Sequence, residues 1–429
     1  MARLAIMSIG DELCIGQVVN TNAAWIAQQC SELGFEVFRH VTVGDDRDEI
    51  VAELRRLWER SDGIITTGGL GPTHDDLTVE ALCEFLGEEA IEHPEVRARL
   101  EELVQQRGIA AREQVLRQAW IPRSAIPLPN PVGQAPGIWV EREGKFLLAL
   151  PGVPAEMRSI LEQARERLRS FRLQRGGAIR LSRTLLTAGI AEADLAALLG
   201  EPAQLLPEGV RLAFLPSFTG VRLRLDARAE SPAHAEALLE QALGRLRERI
   251  DAYLVGEGAE VSLAQAVGTL LRQRRETLAV AESCTAGLLG AAITEVAGSS
   301  EYFLGGLIVY SNAAKVELLS VPPELLERVG AVSREVAELL AQNVRQRFAA
   351  TYGVGITGIA GPGGGTPEKP VGTVWIALAT PQGVQAQRYW FRHDRAGNRQ
   401  RAVAAALTML FRHLRALSPS DAAVHAVGN

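Results

Sequence analysis

Short apolar runs alternate with segments of helical spacing through the first 170 residues. The apolar run at 4–9 predicts a buried strand, and apolar residues at three- and four-residue spacing then predict a helix that ends at Gly34. The same patterns predict strands over 35–43, 63–67 and 146–150 and helices over 48–60, 78–86 and 151–170. This alternation predicts an α/β/α domain with a parallel sheet over residues 1–172.

Two glycine-containing segments divide the rest of the chain. Arg175-Gly176-Gly177 precedes a pattern of strand, helix, two strands and a long helix, which predicts a small α+β linker domain over 178–255. Gly256-Glu257-Gly258 precedes a second alternating region, which predicts an α/β domain over 258–416. Its predicted helices include 260–274, 285–296 and 333–349, and its predicted strands are 277–281, 306–311, 352–356, 372–379 and 385–391. Residues 417–429 are predicted to form a disordered tail.

The composition is that of a globular protein of the cytoplasm. Apolar residues make up 47% of the chain and the net charge is −6 without a basic stripe, which gives a nucleic-acid partner little support. The four cysteines form no CxxC pair, so neither a zinc site nor a disulfide framework is expected. No signal peptide and no run of about 18 apolar residues occurs, so we expect no membrane association.

A glycine-rich loop directly after the strand at 63–67 carries the densest polar signal of the first domain. It reads Gly68-Gly69-Leu70-Gly71-Pro72-Thr73-His74-Asp75-Asp76. Glycines let backbone N–H groups approach a phosphate, and aspartates are ligands for a cation such as Mg²⁺. A tight turn followed by an Asp-capped helix explains the same residues, and the two interpretations stay open. Asp11, after the first strand, would add a carboxylate at the same sheet edge.

Several ordered motifs of the first 170 residues resemble the domain shared by molybdopterin-binding proteins and the CinA family. They are GDELCIGQVVNTNAAWIA, TTGGLGPTHDDLT, NPVGQAPGI and LPGVPAEM. The resemblance implies a metal-dependent ADP-ribose pyrophosphatase activity, with Mg²⁺ or Co²⁺ held by Asp75, Asp76 and Asp11 and with Gly68, Gly69 and Gly71 facing the phosphates. Molybdopterin binding is the alternative. The linker resembles that of the same family, but the family's Gly-Glu-Ser element is here Gly189-Ile190-Ala191.

Three polar clusters lie in the last domain. They are Glu282-Ser283-Cys284-Thr285, the segment Ser299-Ser300 followed by Tyr310 and Lys315, and the glycine loop from Thr357 to Thr373. A serine needs a base, which a neutral lysine can supply, and loop N–H groups could hold an oxyanion. A lone lysine is more often exposed, glycine-flanked serines more often make turns or caps, and a cysteine such as Cys284 more often packs than reacts.

These clusters resemble the PncC family of nicotinamide-nucleotide amidohydrolases. AESCTAG, AGSSEYFLGGLIVYSNAAK, GAVS and ITGIAGPGGGTPEKPVGTVW carry the resemblance over about 260–415. It implies hydrolysis of nicotinamide mononucleotide to nicotinic acid mononucleotide and ammonia, without a cofactor. Ser300 is the preferred nucleophile, with Ser283 as the open alternative and Lys315 as base. The other residues it assigns to the site are Tyr310 and Thr357, which would orient the amide, and Gly358, Gly361, Arg395 and Arg399, which would bind substrate.

Two further expectations follow from the same resemblance. The chain is expected to act on small nucleotides and to form a homodimer. A non-enzymatic binding protein of the competence or DNA-damage response is the competing hypothesis. Ala286 stands where the PncC motif usually has glycine, and its extra methyl group would crowd the phosphate loop.

Overall fold

The computed structural model describes residues 2–176 and 179–417. These residues form two compact units, one containing residues up to 182 together with 227–238, and the other containing 183–226 together with 239–417. The predicted tail at 417–429 lies outside the described residues except for Leu417, which ends the last helix. Gly177 of the predicted boundary also lies outside them.

The first unit contains the four predicted strands together with others that were not predicted. They are β1 (Arg3–Ile9), β2 (Glu36–Val43), β3 (Gly63–Thr67), β4 (Ala90–Glu92), β5 (Trp120–Pro122), β6 (Ile126–Leu128), β7 (Gly137–Arg142) and β8 (Lys145–Leu150). The main sheet has the order β2-β1-β3-β8-β7-β6, in which β2, β1, β3 and β8 are parallel.

The parallel prediction is wrong at one end of this sheet, where β7 and β6 run antiparallel to their neighbours. Glu143 and Gly144 join β7 to β8 with φ angles of 55° and 71°. Two consecutive positive φ angles form the two-residue turn that suits a hairpin, so β7 returns beside β8 instead of crossing over.

Helices cover both faces of the main sheet. They are α1 (Asp11–Cys14), α2 (Thr21–Glu32), α3 (Arg47–Arg60), α4 (Thr78–Leu86), α5 (Pro94–Arg107), α6 (Arg112–Arg117) and α7 (Pro154–Gln174). One apolar core packs α3 and α4 against one face, and a second packs α2 and α7 against the other. The α/β/α prediction is therefore confirmed, although α5 and α6 were not predicted.

A four-stranded sheet follows, with the order β10-β11-β9-β12. Its elements are β9 (Ile179–Thr187), α8 (Glu192–Leu199), α9 (Pro202–Leu205), β10 (Val210–Ser217), β11 (Gly220–Ala229), α10 (Pro232–Ile250) and β12 (Leu254–Glu257). The predicted α+β pattern is present, with β12 as an additional strand. Gly256 and Glu257 of the predicted boundary lie in β12, which pairs antiparallel with β9.

A five-stranded sheet forms the rest of the second unit, with the order β14-β13-β15-β16-β17. The elements are α11 (Leu263–Arg274), β13 (Leu278–Glu282), α12 (Leu288–Thr294), β14 (Phe303–Ile308), α13 (Asn312–Leu319), α14 (Pro323–Val329), α15 (Arg334–Arg347), β15 (Tyr352–Gly358), β16 (Thr373–Thr380), β17 (Gly383–Trp390) and α16 (Arg395–Ala416). Strands β14, β13 and β15 are parallel, and β16 and β17 are antiparallel.

Strand β14 ends earlier than the predicted strand at 306–311. Ser311 leaves the sheet because its side chain accepts a hydrogen bond from Ala314 N and begins helix α13. This early end brings Val309 and Tyr310 to the sheet edge. Among the described residues, no helix has the length and apolar character needed to span a membrane.

Candidate active sites

The carboxyl ends of β13 and β14 bring serine and lysine together in the second unit. The two strands are parallel, with Glu282 paired to Ile308, so Ser283 and Val309 leave the sheet at the same edge. Helix α13 then returns Lys315 to this edge. The Lys315 Nζ atom lies 3.2 Å from Ser283 Oγ, and both side chains are buried.

The Lys315 amine has a complete set of partners. Besides Ser283, it donates to Val309 O at 2.9 Å and to Tyr310 O at 3.1 Å. Burial lowers the pKa of Lys315 from its ordinary value of 10.5. In the neutral form, two N–H groups can serve the two carbonyls while the lone pair accepts the Ser283 proton. The arrangement therefore suits a general base.

Cys284 follows Ser283 but does not present a reactive thiolate. The side chain is buried, and burial raises the pKa of its thiol to about 12. A neutral buried thiol packs as a small apolar group. Cys284 therefore fits the interpretation that it packs in the core and does not react.

A cleft of about 180 Å³ adjoins the Ser283–Lys315 pair. Thr357 and Gly358 line it, and the Thr357 hydroxyl donates to Ala331 O at 2.8 Å. Arg395 also lines the cleft, and it donates to Gly361 O at 2.6 Å and to the Tyr310 hydroxyl at 3.1 Å. The structure thus gathers Ser283, Tyr310, Lys315, Thr357, Gly358 and Arg395 at one site.

Gly361 and Arg399 are not among the residues that line this cleft. Gly361 has a φ of 94°, and a side chain there would meet Val371 Cγ1 at 2.6 Å, so the glycine keeps the loop compact. Arg399 donates to Thr285 O at 2.8 Å. Both residues support the walls, and their predicted direct contact with substrate stays untested.

Ser300, the preferred nucleophile of the sequence analysis, is not brought to Lys315. It is exposed in a 3₁₀ turn, Ser299–Glu301, that precedes β14, whereas Lys315 follows β14. Six strand residues at about 3.3 Å each separate the two ends of β14 by roughly 20 Å. The predicted Ser300–Lys315 pair is therefore corrected to Ser283–Lys315.

The start of the helix after Ser283 is capped by a carboxylate of the protein itself. Helix α12 begins at Leu288, and the buried Glu282 carboxylate accepts hydrogen bonds from Gly287 N, Leu289 N and Gly290 N at 2.8–3.0 Å. These bonds satisfy backbone N–H groups at the positive end of the helix.

The first unit has a larger cleft, of about 620 Å³, at the carboxyl ends of β1, β2, β3 and β8. Gly68, Gly69 and Gly71 line it. A side chain at Gly68 would lie 2.1 Å from Ile9 O, and one at Gly69 would lie 2.3 Å from Thr78 Oγ1. The glycines are thus needed for close packing of the loop, and their predicted role toward phosphate stays untested.

The Asp76 carboxylate is engaged by its own loop. It accepts from Gly71 N and Thr73 N, both at 2.8 Å, and from the Thr73 hydroxyl. These bonds occupy three of about four acceptor positions of the carboxylate. These bonds give Asp76 a loop-closing role, and its predicted role as a metal ligand stays untested.

Asp45 and Asp75 line this cleft, and Asp11 is hydrogen-bonded to Asp45. Asp11 Oδ1 accepts from Asp45 N at 3.1 Å, and Asp45 Oδ2 accepts from Asp11 N at 3.0 Å. Burial, followed by the charges of Asp11, Glu12 and Asp75, raises the pKa of Asp45. This concentration of negative charge would favour the binding of a cation. In the described ranges, however, no three His, Cys, Asp or Glu side chains lie close enough together to form a metal site.

Family models match the chain in three consecutive segments. They are "Probable molybdopterin binding domain" over 5–170, "Damage-inducible protein CinA KH domain" over 182–256 and "CinA C-terminal domain" over 260–414. A "CinA-like protein" of Gemmatimonas aurantiaca is 43% identical over 421 residues, covering 98% of both chains. The chain belongs to the CinA family. A second "CinA-like protein", from Parasynechococcus marenigrum, is 43% identical to this CinA-family chain and covers 97% of it and 99% of its own length.

A solved structure described as the protein CinA from Thermoplasma acidophilum is 37% identical to this CinA-family chain. It covers 39% of this chain and 98% of its own, with a TM-score of 0.37.

One residue of this CinA-family protein is strained beside the candidate nucleophile. Ala286 has a φ of 49°, in the left-handed region that favours glycine. From the sequence, its extra methyl group is predicted to crowd a phosphate loop. The structural consequence is instead a backbone conformation that alanine tolerates less well than glycine.

Neither Asp45 nor Glu282 of this CinA-family chain received a role from the sequence, although Glu282 lies in one of the three polar clusters. Asp45 follows strand β2 after Gly44, just as Asp11 follows β1 after Gly10, so the repeated Gly-Asp after a strand was a usable signal. Glu282 carried no such signal, because its bonds to the start of α12 depend on where that helix begins.

Proposed function

We propose that the second unit hydrolyses the amide of nicotinamide mononucleotide to nicotinic acid mononucleotide and ammonia. The observation that carries this proposal is the contact between the buried Lys315 amine and the Ser283 hydroxyl. The resemblance of the surrounding motifs to nicotinamide-nucleotide amidohydrolases supports the choice of substrate.

In the first step, neutral Lys315 takes the proton of Ser283 while Ser283 Oγ attacks the amide carbon. The carbonyl oxygen becomes an oxyanion in a tetrahedral intermediate. When the C–N bond breaks, Lys315 returns the proton to nitrogen, ammonia leaves, and the acyl group stays on Ser283. Loop N–H groups near Gly358 are the predicted oxyanion donors.

In the second step, a water molecule attacks the acyl-serine. Lys315 accepts a water proton as the new C–O bond forms, and it returns that proton to Ser283 Oγ as the ester bond breaks. The carboxylic acid of the product then ionises to solvent. Lys315 and Ser283 regain their starting protonation states, so the cycle balances.

Arg395 is the proposed partner of the substrate phosphate. It lines the cleft and uses only part of its donor set on Gly361 O and the Tyr310 hydroxyl. A cleft of about 180 Å³ is smaller than usual ligand pockets, so we propose that it encloses the amide-bearing ring while the phosphate lies across Arg395.

The direct test is ammonia release from nicotinamide mononucleotide by the full chain. Ser283→Ala should abolish release, and Ser300→Ala should keep it. No release by the unaltered protein would overturn the proposal and favour the competing hypothesis of a non-enzymatic binding protein of the competence or damage response.

We further propose that the first unit cleaves ADP-ribose with the help of Mg²⁺ or Co²⁺. The raised pKa of Asp45 among Asp11, Glu12 and Asp75 supports a cation in this cleft. When bound, the cation would neutralise the diphosphate. Asp11, Asp45 and Asp75 would hold it, and the glycine loop would face the phosphates.

The test for this activity is metal-dependent release of AMP from ADP-ribose. Molybdopterin binding is the alternative, which the description of the matching domain model favours. Co-purifying pterin fluorescence without AMP release would select that alternative. The homodimer and the cytoplasmic location stay predictions.

A further inference from the structure

The turn between β10 and β11 reaches the loop that precedes α16, within the second unit. The Phe218 ring packs edge-to-face on the His393 ring, with centroids 5.5 Å apart and planes at 86°. The Arg401 guanidinium also contacts Phe218. It lies 5.7 Å from the centre of the Phe218 ring, and Arg401 Nη1 lies 3.4 Å from Phe218 O. The small sheet therefore holds His393 through one aromatic side chain.

A buried amide connects His393 to the wall of the hydrolase cleft. Asn398 accepts from His393 N at 3.1 Å and donates to His393 O at 2.9 Å and to Ala360 O at 3.0 Å. Asn398 is 1% exposed, and Ala360 lines the cleft. A displacement of His393 would disturb the bonds of the buried Asn398 amide, which include the one to Ala360 O.

Arg395 lies between these two fixed points. It follows His393 by two residues, and Asp394 begins helix α16 by accepting from Gly397 N at 2.7 Å. A side chain at Gly397 would meet His393 Cβ at 2.8 Å, so the first turn of α16 packs closely on His393. The place of the Arg395 guanidinium therefore depends on where His393 is held.

We propose that Phe218 is a positioning residue of the hydrolase cleft, which acts through His393 to hold Arg395 where the substrate phosphate binds. The proposal rests on the proposed amidohydrolase function. It gives the linker domain a part in substrate binding.

The experiment compares full-length Phe218→Ala, Phe218→Tyr and Arg415→Ala on two substrates, nicotinamide mononucleotide and nicotinamide riboside, which lacks the phosphate. Arg415 is the matched control because it also joins helix α16 to the linker, through Asp251 and Leu254 O. It lies 20 residues from Arg395 along α16, which is about 30 Å at 1.5 Å per residue.

Phe218→Ala should raise KM for the mononucleotide about two- to tenfold, the factor that an aromatic pair of this kind is worth. It should leave kcat, and KM for the riboside, unchanged. Phe218→Tyr should restore the original KM because the ring is kept, and Arg415→Ala should resemble the unaltered protein. Equal changes for both substrates, or the same change in Arg415→Ala, would overturn the proposal.

Hydrogen exchange tests the positioning role of Phe218 independently of whether the protein is an amidohydrolase. Peptides over 391–400 should exchange faster in Phe218→Ala than in the unaltered chain, with no such change in Arg415→Ala. Unchanged exchange would overturn the positioning role even if ammonia is released. If no ammonia is released from either substrate, the proposed function fails, and with it the role in phosphate binding; faster exchange would then support only the structural coupling.

Discussion

Lys315 Nζ lies 3.2 Å from Ser283 Oγ, although 32 residues separate the two in the chain. The contact exists because β13 and β14 are parallel neighbours that end together, and because α13 folds back over that edge. Two carbonyls, of Val309 and Tyr310, hold the amine in place. Burial lowers the pKa of Lys315, so its amine gives up a proton more readily than an exposed lysine does and is suited to act as a base.

Removing either member of this pair should abolish amide hydrolysis. Ser283→Ala and Lys315→Met should each lower kcat/KM for nicotinamide mononucleotide by about a thousandfold or more, because nucleophile and base act as one unit. Ammonia release in steady state measures the effect. Ser300→Ala is the matched control and should retain the original rate; a large loss there would restore Ser300 as the nucleophile.

The pH dependence should report the lysine. Because catalysis needs the neutral amine and burial lowers the pKa of Lys315 below 10.5, kcat/KM should rise with pH through that lowered value. Between the folded-state pKa and 10.5 the unfolded chain binds more protons, so the free energy of unfolding should also rise with pH. Lys315→Met should remove this rise in stability. A rise that persists in the variant would assign it to another group.

Ala286→Gly should stabilise the protein. At a φ of 49° alanine is strained and glycine is not, so we expect a gain of about 0.5–1 kcal/mol in the free energy of unfolding. Thermal unfolding measures it. Ala291→Gly, in the nearby helix α12, is the control and should destabilise by about 1 kcal/mol. Destabilisation by both variants would show that the φ of Ala286 is not limiting.

Glu282→Gln should destabilise the start of α12. The substitution removes the charge from three hydrogen bonds to backbone N–H groups, one buried and two half-buried, which we expect to cost about 1–3 kcal/mol. Urea unfolding is the measurement. The exposed Glu295→Gln, at the other end of the same helix, should change stability by less than about 0.5 kcal/mol. Equal effects would argue against a special role of Glu282.

Metal binding in the first unit should depend on Asp75 but much less on Asp76. Titration with Mg²⁺ or Co²⁺ should show an affinity at least about tenfold weaker in Asp75→Asn, because a ligand charge is lost. Asp76→Asn should lower the melting temperature, since it disturbs the bonds to Gly71 and Thr73, with a smaller change in affinity. The reverse order would return Asp76 to the metal site.

Local hydrophobic patterns were sufficient to predict strands and helices wherever the spacing of apolar residues changes clearly from one element to the next. Strands β1 to β3 and helices α2 to α4 lie close to their predicted positions, because buried strands and amphipathic helices differ in spacing. Residues 87–145 were not assigned. Their strands are only three to six residues long, and the 14-residue helix α5 buries only Val96, Leu100 and Val104, so its apolar pattern is weak. The antiparallel direction of β7 depends on the turn at Glu143-Gly144. It could not be predicted from the sequence, because a glutamate rarely adopts the positive φ angle that this turn requires.

The motifs of the chain by themselves determined its family, its α/β architecture and the polar clusters in which chemistry is possible. Which serine meets Lys315 was decided only by the tertiary structure, because Ser283 and Ser300 lie at opposite ends of two parallel strands. Spacing along a chain is a one-dimensional quantity, whereas a reacting pair must meet within a few ångströms. Only the packing of strands and helices sets that distance.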